Sequence, residues 1–455
     1  MATDAPAQAP AARSEVIEAL RQKIARVIAR EPSVQPPWKP SEGELPFFEQ
    51  QTLRGPLYHR TIRYETIHRV GRLALSGARR PDTTMLSLLA LDPAFSGVDV
   101  SKALYLDTET TGLSGGTGTL VFLMGLGWFA DDGHFEVEQL LLRRPGEEGP
   151  ILERVAQRFR DSTMLVTFNG KAFDLPLVRT RFVMNRMDFA PPPLHLDLLH
   201  LARRIHRNRI GACNLGSIES KVLGFGRVDD VPSGEVSSRY AHFLRTGDEG
   251  ALVGVVEHNA WDVVAMAALV SLYGDPLGGL SGEDLAGVAA TLHRARSPRL
   301  ARELADEAVL RGGGAAALRT RAMLCKALGD RERALADFES LLREVDDGAV
   351  RLELAKLYEH YRRAPAAALQ MVDRGTGESQ EATARRRKRL ERKAEQVQSE
   401  GRRRSRRASK QQSALPGVSL PGSPSEGEGG GAVEGGAGAG SSGAPDPRDR
   451  GSSTR

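Results

Sequence analysis

Residues 104–113 read Leu-Tyr-Leu-Asp-Thr-Glu-Thr-Thr-Gly-Leu, and no other stretch constrains the chain as much. Its apolar opening suits a buried strand. Two carboxylates then stand two residues apart, and on a strand such residues point to one face. Asp107 and Glu109 therefore project together from the strand's end. Adjacent anions repel unless a cation lies between them or one holds a proton. Hard divalent ions such as Mg²⁺ take oxygen sites of this kind and leave the remaining positions to water or phosphate. A bare Asp-x-Glu also describes an exposed strand end with two solvated acids, so its meaning depends on partners downstream.

A chain of 455 residues allows two or three domains. The composition, 40% hydrophobic and 27% charged, is that of a soluble globular protein. The longest apolar run, 120–130, is far shorter than the ~20 residues that span a bilayer, so no membrane partner is expected. The N-terminus lacks an apolar signal core. The two cysteines, Cys213 and Cys325, fall in different proposed domains and read as small buried hydrophobes. They form no disulfide framework, and a reducing cytoplasm is the expected setting. The net charge of +5 misleads, because 13 Lys/Arg and 4 Asp/Glu fall within 381–410 and leave the rest of the chain net acidic.

The organisation follows from pattern. Residues 1–50 give a helix over 14–30 and a proline-interrupted extended segment, and 51–100 a lead-in subdomain packed on the main sheet. Residues 101–275 form one α/β unit, with strand signals at 103–107, 119–129, 134–142 and 164–168 alternating with helices. Gly115-Gly116-Thr117-Gly118 lacks the Gly-Lys-Ser/Thr ending of a phosphate loop and precedes a strand, so it reads as a glycine loop near the carboxylates. His195, His200 and His206 do not share one helix face and have no cysteine pair, which disfavours zinc. Asp197, after a strand-like run, is placed to support the acidic site from behind. Residues 297–374 are helical, and Ala334-Leu335 recurs as Ala368-Leu369 at a 34-residue offset, the period of tetratricopeptide repeats. Residues 375–455 form a basic and then Gly/Ser/Pro-rich tail expected to be disordered; its Arg/Lys run also allows a helix to about 400, though with no apolar stripe to anchor it. Its basic run is either a nucleic-acid contact or a merely solvated tail.

Four carboxylates stand out in order: Asp107, Glu109, Asp174 at a turn-to-helix junction, and Asp262 on a late helix, with His258 one turn before it. Four acids around one point serve a purpose if two divalent cations bind there, activating a water and stabilising the leaving oxygen of a phosphodiester. His258 would accept the proton of that water. Taken alone, the His258–Asp262 pair equally describes a brace within the helix.

Asp-Thr-Glu-Thr-Thr-Gly-Leu (107–113), Phe-Asn-Gly-Lys-Ala-Phe-Asp (168–174) and His-Asn-Ala-Trp-Asp (258–262) resemble the three exonuclease motifs of the DEDD, or DnaQ-like, superfamily. Together with Cys-Asn-Leu-Gly-Ser-Ile-Glu (213–219) and the repeats, the chain resembles the YprB-like group of bacterial predicted exonucleases. The resemblance implies a ribonuclease H-like mixed sheet flanked by helices, followed by tetratricopeptide-like helices. It implies a 3′→5′ exonuclease on DNA or RNA that uses two Mg²⁺ or Mn²⁺ ions. Asp107, Glu109, Asp174 and Asp262 would hold the ions and His258 would be the general base, while Thr108, Gly112, Leu113, Asn169 and Phe173 would bind the terminal nucleotide. Three residues separate His258 from Asp262, where members with a histidine base usually have four; the shorter spacing belongs to the branch with tyrosine. The competing expectation is a scaffold whose nuclease domain binds nucleic acid without cutting it and whose repeats bind a protein. Endonucleolytic cutting on the same fold also stays open.

Overall fold

The computed structural model describes residues 43–112 and 118–412. The helix expected over 14–30, Leu113 with most of the glycine loop, and the chain beyond 412 lie outside the described residues.

The strands are β1 (Phe48–Thr52), β2 (Gly55–Tyr64), β3 (Arg69–Val70), β4 (Leu73–Ala74), β5 (Ala103–Thr110), β6 (Val121–Phe129), β7 (Phe135–Leu141), β8 (Met164–Thr167) and β9 (Leu194–Asp197). All but the β3–β4 hairpin join one sheet in the order β1-β2-β7-β6-β5-β8-β9. From β1 to β5 neighbours run antiparallel, and β5-β8-β9 are parallel, so β5 lies where the sheet changes sense. This is a ribonuclease H-like mixed sheet. The segment expected to pack on the sheet as a lead-in subdomain instead supplies its edge: β2 pairs with β7 from Tyr58 to Tyr64. Leu57, Ile62 and Tyr64 bury their side chains on the sheet's two apolar layers, which no short-range pattern in a mixed polar stretch reveals.

Alternation along β5 builds both layers. Leu104 and Leu106 enter one apolar cluster, Ala103 and Tyr105 the other. The principal helices are α1 (Thr83–Ala90), α2 (Gly149–Asp161), α3 (Asp174–Met184), α4 (Leu198–Ile210), α5 (Val236–Thr246) and α6 (Val253–Gly274). Helices α2, α3 and α5 cover the Leu104 face, and α1, α4 and most of α6 cover the Tyr105 face. Helix α6 is the longest apolar element. By length and composition alone it could cross a membrane, but most of its surface is buried inside the fold. Its close approach to the sheet depends on two glycines of β6. A Cβ on Gly125 would meet the Asn259 side chain at 2.5 Å and Val263 at 2.8 Å, and one on Gly127 would meet Val263 at 2.5 Å.

Beyond α6 the chain is helical, through α7 (Gly282–Arg294), α8 (Pro298–Leu310), α9 (Gly314–Ala327), α10 (Arg331–Glu344), α11 (Gly348–His360), α12 (Pro365–Asp373) and α13 (Gln380–Gln412). Helices α8, α10 and α12 alternate with α9, α11 and α13 as pairs recurring near the 34-residue period read from the sequence, and Ala334 and Ala368, one period apart, are both fully buried. Helix α7 carries the sheet's core into the first pair without a linker, since Leu285 and Leu292 share a cluster with Ala301 and Ala308.

The expectation of a disordered tail from residue 375 fails at its start. Helix α13 lacks an apolar stripe, but Leu390 is completely buried, Arg386 bonds Glu378 at 2.7 Å, and Arg389 and Lys393 each bond Glu359 at 2.8 Å. Those bonds, Arg389's foremost, pull the Glu359 carboxyl down to about 2. Ion pairs anchor what hydrophobicity alone would not. The compact unit ends at Ala394.

Gly125→Ala is expected to destabilise the protein by about 1–3 kcal/mol, because the new methyl overpacks the α6 contact. Gly216→Ala, where a Cβ meets nothing within 4 Å, is the control. Urea denaturation followed by circular dichroism checks both, and equal midpoints for the two variants would contradict the packing described.

Candidate active site

A cleft of about 710 Å³ opens at the carboxyl end of β5. Asp107, Thr108, Glu109, Gly112, Asn169, Phe173, Asp174, His258 and Asp262 all line it. Among the residues singled out from the sequence, Leu113 lies outside the described residues. The cysteines are free and buried, and neither lines the cleft.

Strand alternation sets the first two acids. Asp107 and Glu109 continue the side of Ala103 and Tyr105 and face α6, while Thr108 points to the opposite face and donates to Asp174 Oδ1. A register shift after Glu109 ends the regular ladder there. Asp174 opens α3 behind a tight turn. In that turn Asn169 adopts φ +70°, and Gly170 leaves no room for a Cβ, which would meet Thr167 at 2.5 Å. Asp197 fixes the turn from behind, accepting the Asn169 amide at 2.8 Å and the Lys171 amide at 3.1 Å. The three histidines set aside as zinc ligands have separate roles. His195 meets the Thr167 hydroxyl at 2.8 Å, His206 is buried between Asp284 and Tyr273, and His200 is exposed.

Helix α6 supplies the other wall. His258 Nε2 lies 3.6 Å from Asp262 Oδ2 and 4.0 Å from Glu109 Oε1. Its other ring nitrogen, Nδ1, lies 2.6 Å from Asp230 Oδ1 and 3.0 Å from an Arg227 amine. The shorter spacing between His258 and Asp262 therefore still brings the imidazole to the acids.

Several partners escaped the sequence reading. Asn259 donates to Asp107 Oδ2 at 2.8 Å, and its own carbonyl accepts from the buried Gln139 at 2.8 Å. Gln139 also donates to Val256 O at 2.7 Å and accepts from Arg60 at 2.6 Å. This line ties β2, β7, α6 and β5 together behind the site. Arg227 donates to both oxygens of Glu219, at 2.6 and 2.8 Å, and to Asp262 Oδ1. Asn259 and Glu219 sit inside stretches already singled out, so position marked them although role did not. Arg227 and Asp230 gave no signal, because a loop arginine and a loop aspartate resemble any solvated pair.

Electrostatics expresses the crowding. Burial, then Asp262, Asp174 and Glu109, raise Asp107 well above the usual carboxylate range. Burial likewise lifts Glu109 to about 8, against the pull of His258, and Asp174 to about 6, despite the Thr108 hydrogen bond. Burial lifts Glu219 to about 7, with Arg227 opposing. For His258 burial acts downward, but Asp262 and Glu109 outweigh it and the imidazole is raised. Such a site favours protons or cations. Among the described residues no three His, Cys, Asp or Glu side chains already form a closed metal cage, and Arg227 takes one oxygen of Asp262. The donor chemistry nevertheless fits hard divalent ions: oxygen-only carboxylates, close together, of which only Asp262 bonds an arginine among the described residues.

Residues 104–273 match a protein-family model described as RNase_H superfamily. The chain is 36% identical over 217 residues to "Uncharacterized protein YprB" of Bacillus subtilis (strain 168), covering 47% of this chain and 51% of that protein. It thus spans about half the length of that relative. A family B DNA polymerase from the hyperthermophilic archaeon Pyrobaculum calidifontis aligns at 13% identity and a TM-score of 0.31, over 52% of this chain and 28% of that one. Residues 104–273 thus form a domain with an RNase H-like fold.

The raised carboxylates give a sign to the pH dependence. A group whose folded pKa exceeds its unfolded value stabilises the fold below the unfolded value and loses that contribution as pH rises through the folded one. Without divalent ions the melting temperature should fall as pH rises from about 4 through Asp174 near 6 and Glu109 near 8. Mg²⁺ or Mn²⁺ should raise it more at pH 8 than at pH 5, as thermal melts would show. An equal shift at both pH values would count against cation binding at these acids.

Proposed function

We propose that the chain is a metal-dependent 3′→5′ exonuclease acting on DNA or RNA. The observation that carries this reading is the gathering of Asp107, Glu109, Asp174 and Asp262 around one cleft that His258 Nε2 also faces. Two Mg²⁺ or Mn²⁺ ions held by those four carboxylates would supply Lewis acidity to the attacking water and to the leaving oxygen. His258 takes the water's proton at Nε2, and Asp230 holds Nδ1 so that Nε2 stays turned inward. Asn259 fixes the rotamer of Asp107 and Thr108 that of Asp174, so neither acid has to reorganise when substrate arrives. Phe173, 54% exposed on the cleft wall, offers a face for the terminal base, with Thr108, Gly112 and Asn169 shaping the rest of that pocket. The helix pairs after α7 are tetratricopeptide-like and present a surface for a protein partner; the setting we propose is the cytoplasm.

One observation favours a second reading, in which the domain binds nucleic acid without cutting it. Arg227 already neutralises Asp262, and an arginine at an acidic site can replace a cation. Turnover separates the two readings. With Mg²⁺ or Mn²⁺, 5′-labelled single-stranded DNA or RNA should shorten in a ladder from its 3′ end. Asp107→Ala and Asp262→Ala should each abolish the ladder while leaving the circular dichroism spectrum unchanged. Intact substrate with a folded protein that still binds it would favour the scaffold, and a ladder that persists in either variant would exclude the two-metal assignment.

A further inference from the structure

Helix α3 is apolar on two faces. Leu177, Val178 and Phe182 are buried under the sheet, yet Val183 on the far side is 64% exposed. Pro176, Arg179 and Val183 recur at helical spacing along that outer face, and all three are exposed. A second groove, of about 550 Å³ and with largely apolar walls, runs along this face. It shares Pro176 and Thr180 with the catalytic cleft, so the two are continuous. Lys171 and Arg179 lie along it, and neither side chain has an ion-pair partner among the described residues. Phe189 contributes an aromatic edge at the far end.

The catalytic cleft makes this groove necessary. Among the described residues lining the cleft there are four carboxylates and no lysine or arginine. A polyanion entering such a cleft meets like charges and finds no lysine or arginine on its described walls, so its long-range attraction must come from nearby cations. Lys171 and Arg179 are the cations on the continuous path. Apolar side chains between them suit unstacked bases, which a duplex keeps hidden inside its stack. We infer that the groove along α3 is the track for a single strand, holding the nucleotides just 5′ of the bond at the catalytic cleft. Phosphates of that strand meet Lys171 and Arg179, and its bases lie against Val183 and Phe189. The track rests on the nucleic-acid reading of the cleft and narrows its substrate to single strands.

Binding tests the track separately from cutting. The full-length protein is titrated, with Ca²⁺ replacing Mg²⁺, into 5′-fluorescein oligothymidylates of three, six and twelve nucleotides and into a blunt duplex, and anisotropy is read. Affinity should rise from the trinucleotide to the dodecanucleotide, and the dodecanucleotide should outbind the duplex. Lys171→Ala with Arg179→Ala should weaken dodecanucleotide binding about ten-fold and lower the salt slope by about 1.4, ~0.7 for each single-strand phosphate deprived of its cation. Val183→Asp should weaken it as well, by placing an anion against the strand. All three sites are exposed, so unchanged thermal melts are expected to accompany the weaker binding. Full length dependence in the double variant, or equal affinity of the wild type for duplex and single strand, would overturn the track. Wild-type cutting combined with unchanged length dependence in the double variant would remove the track and keep the nuclease. Length-dependent binding that the double variant loses, without any cutting by the wild type, would keep the track and remove the nuclease. Failure of the wild type to bind any probe would overturn both.

Discussion

Like-charge repulsion at the end of β5 is the constraint to which the rest of the site responds. Asp107, Glu109, Asp174 and Asp262 share a partly buried cleft, and burial raises the first three toward protonation. Water screens groups in a partly buried cleft only weakly, so the fold supplies local compensation. Asn259 donates to Asp107, Thr108 to Asp174, and Arg227 to Asp262. Each of these bonds occupies one oxygen and leaves the other to the cleft. A fold selected only for stability would replace these acids, because burying uncompensated carboxylates costs more than apolar packing at the same positions.

The sheet's architecture makes this crowding geometrically possible. Because β5 is central and buried on both sides, its alternation sends Asp107 and Glu109 toward α6 and Thr108 toward α3 from adjacent positions. Glycines on β6 let α6 approach closely enough for Asn259 to reach Asp107. The line from Arg60 through Gln139 to Asn259 carries that positioning back to β2, one strand in from the sheet's edge. A peripheral strand of unremarkable sequence thereby helps set the rotamer of a central acid.

Local pattern made much of this legible and long-range packing hid the rest. The β5 acids, the Asn169-Gly170 turn and the helical spacing of His258 and Asp262 are encoded within a few residues, and the structure brings them to one cleft. The β1–β2 edge was not legible, because its register is set against β7, far along the chain. Arg227 and Asp230 were missed because their significance lies in what α6 presents to them. The start of the tail was misread because ion pairs to Glu359 and the single buried Leu390 hold it, and neither leaves an amphipathic stripe. The groove along α3 was also invisible, since exposed apolar residues on a helix are recognised only once its buried face is known.

Cation binding by the four carboxylates is the central claim, and anomalous scattering from crystals grown with Mn²⁺ tests it most directly. Two peaks among Asp107, Glu109, Asp174 and Asp262, about 3.5–4 Å apart, are the predicted result. Their absence at saturating Mn²⁺, with Arg227 still bound to Asp262, would contradict it and leave the cleft as an acidic site neutralised from within.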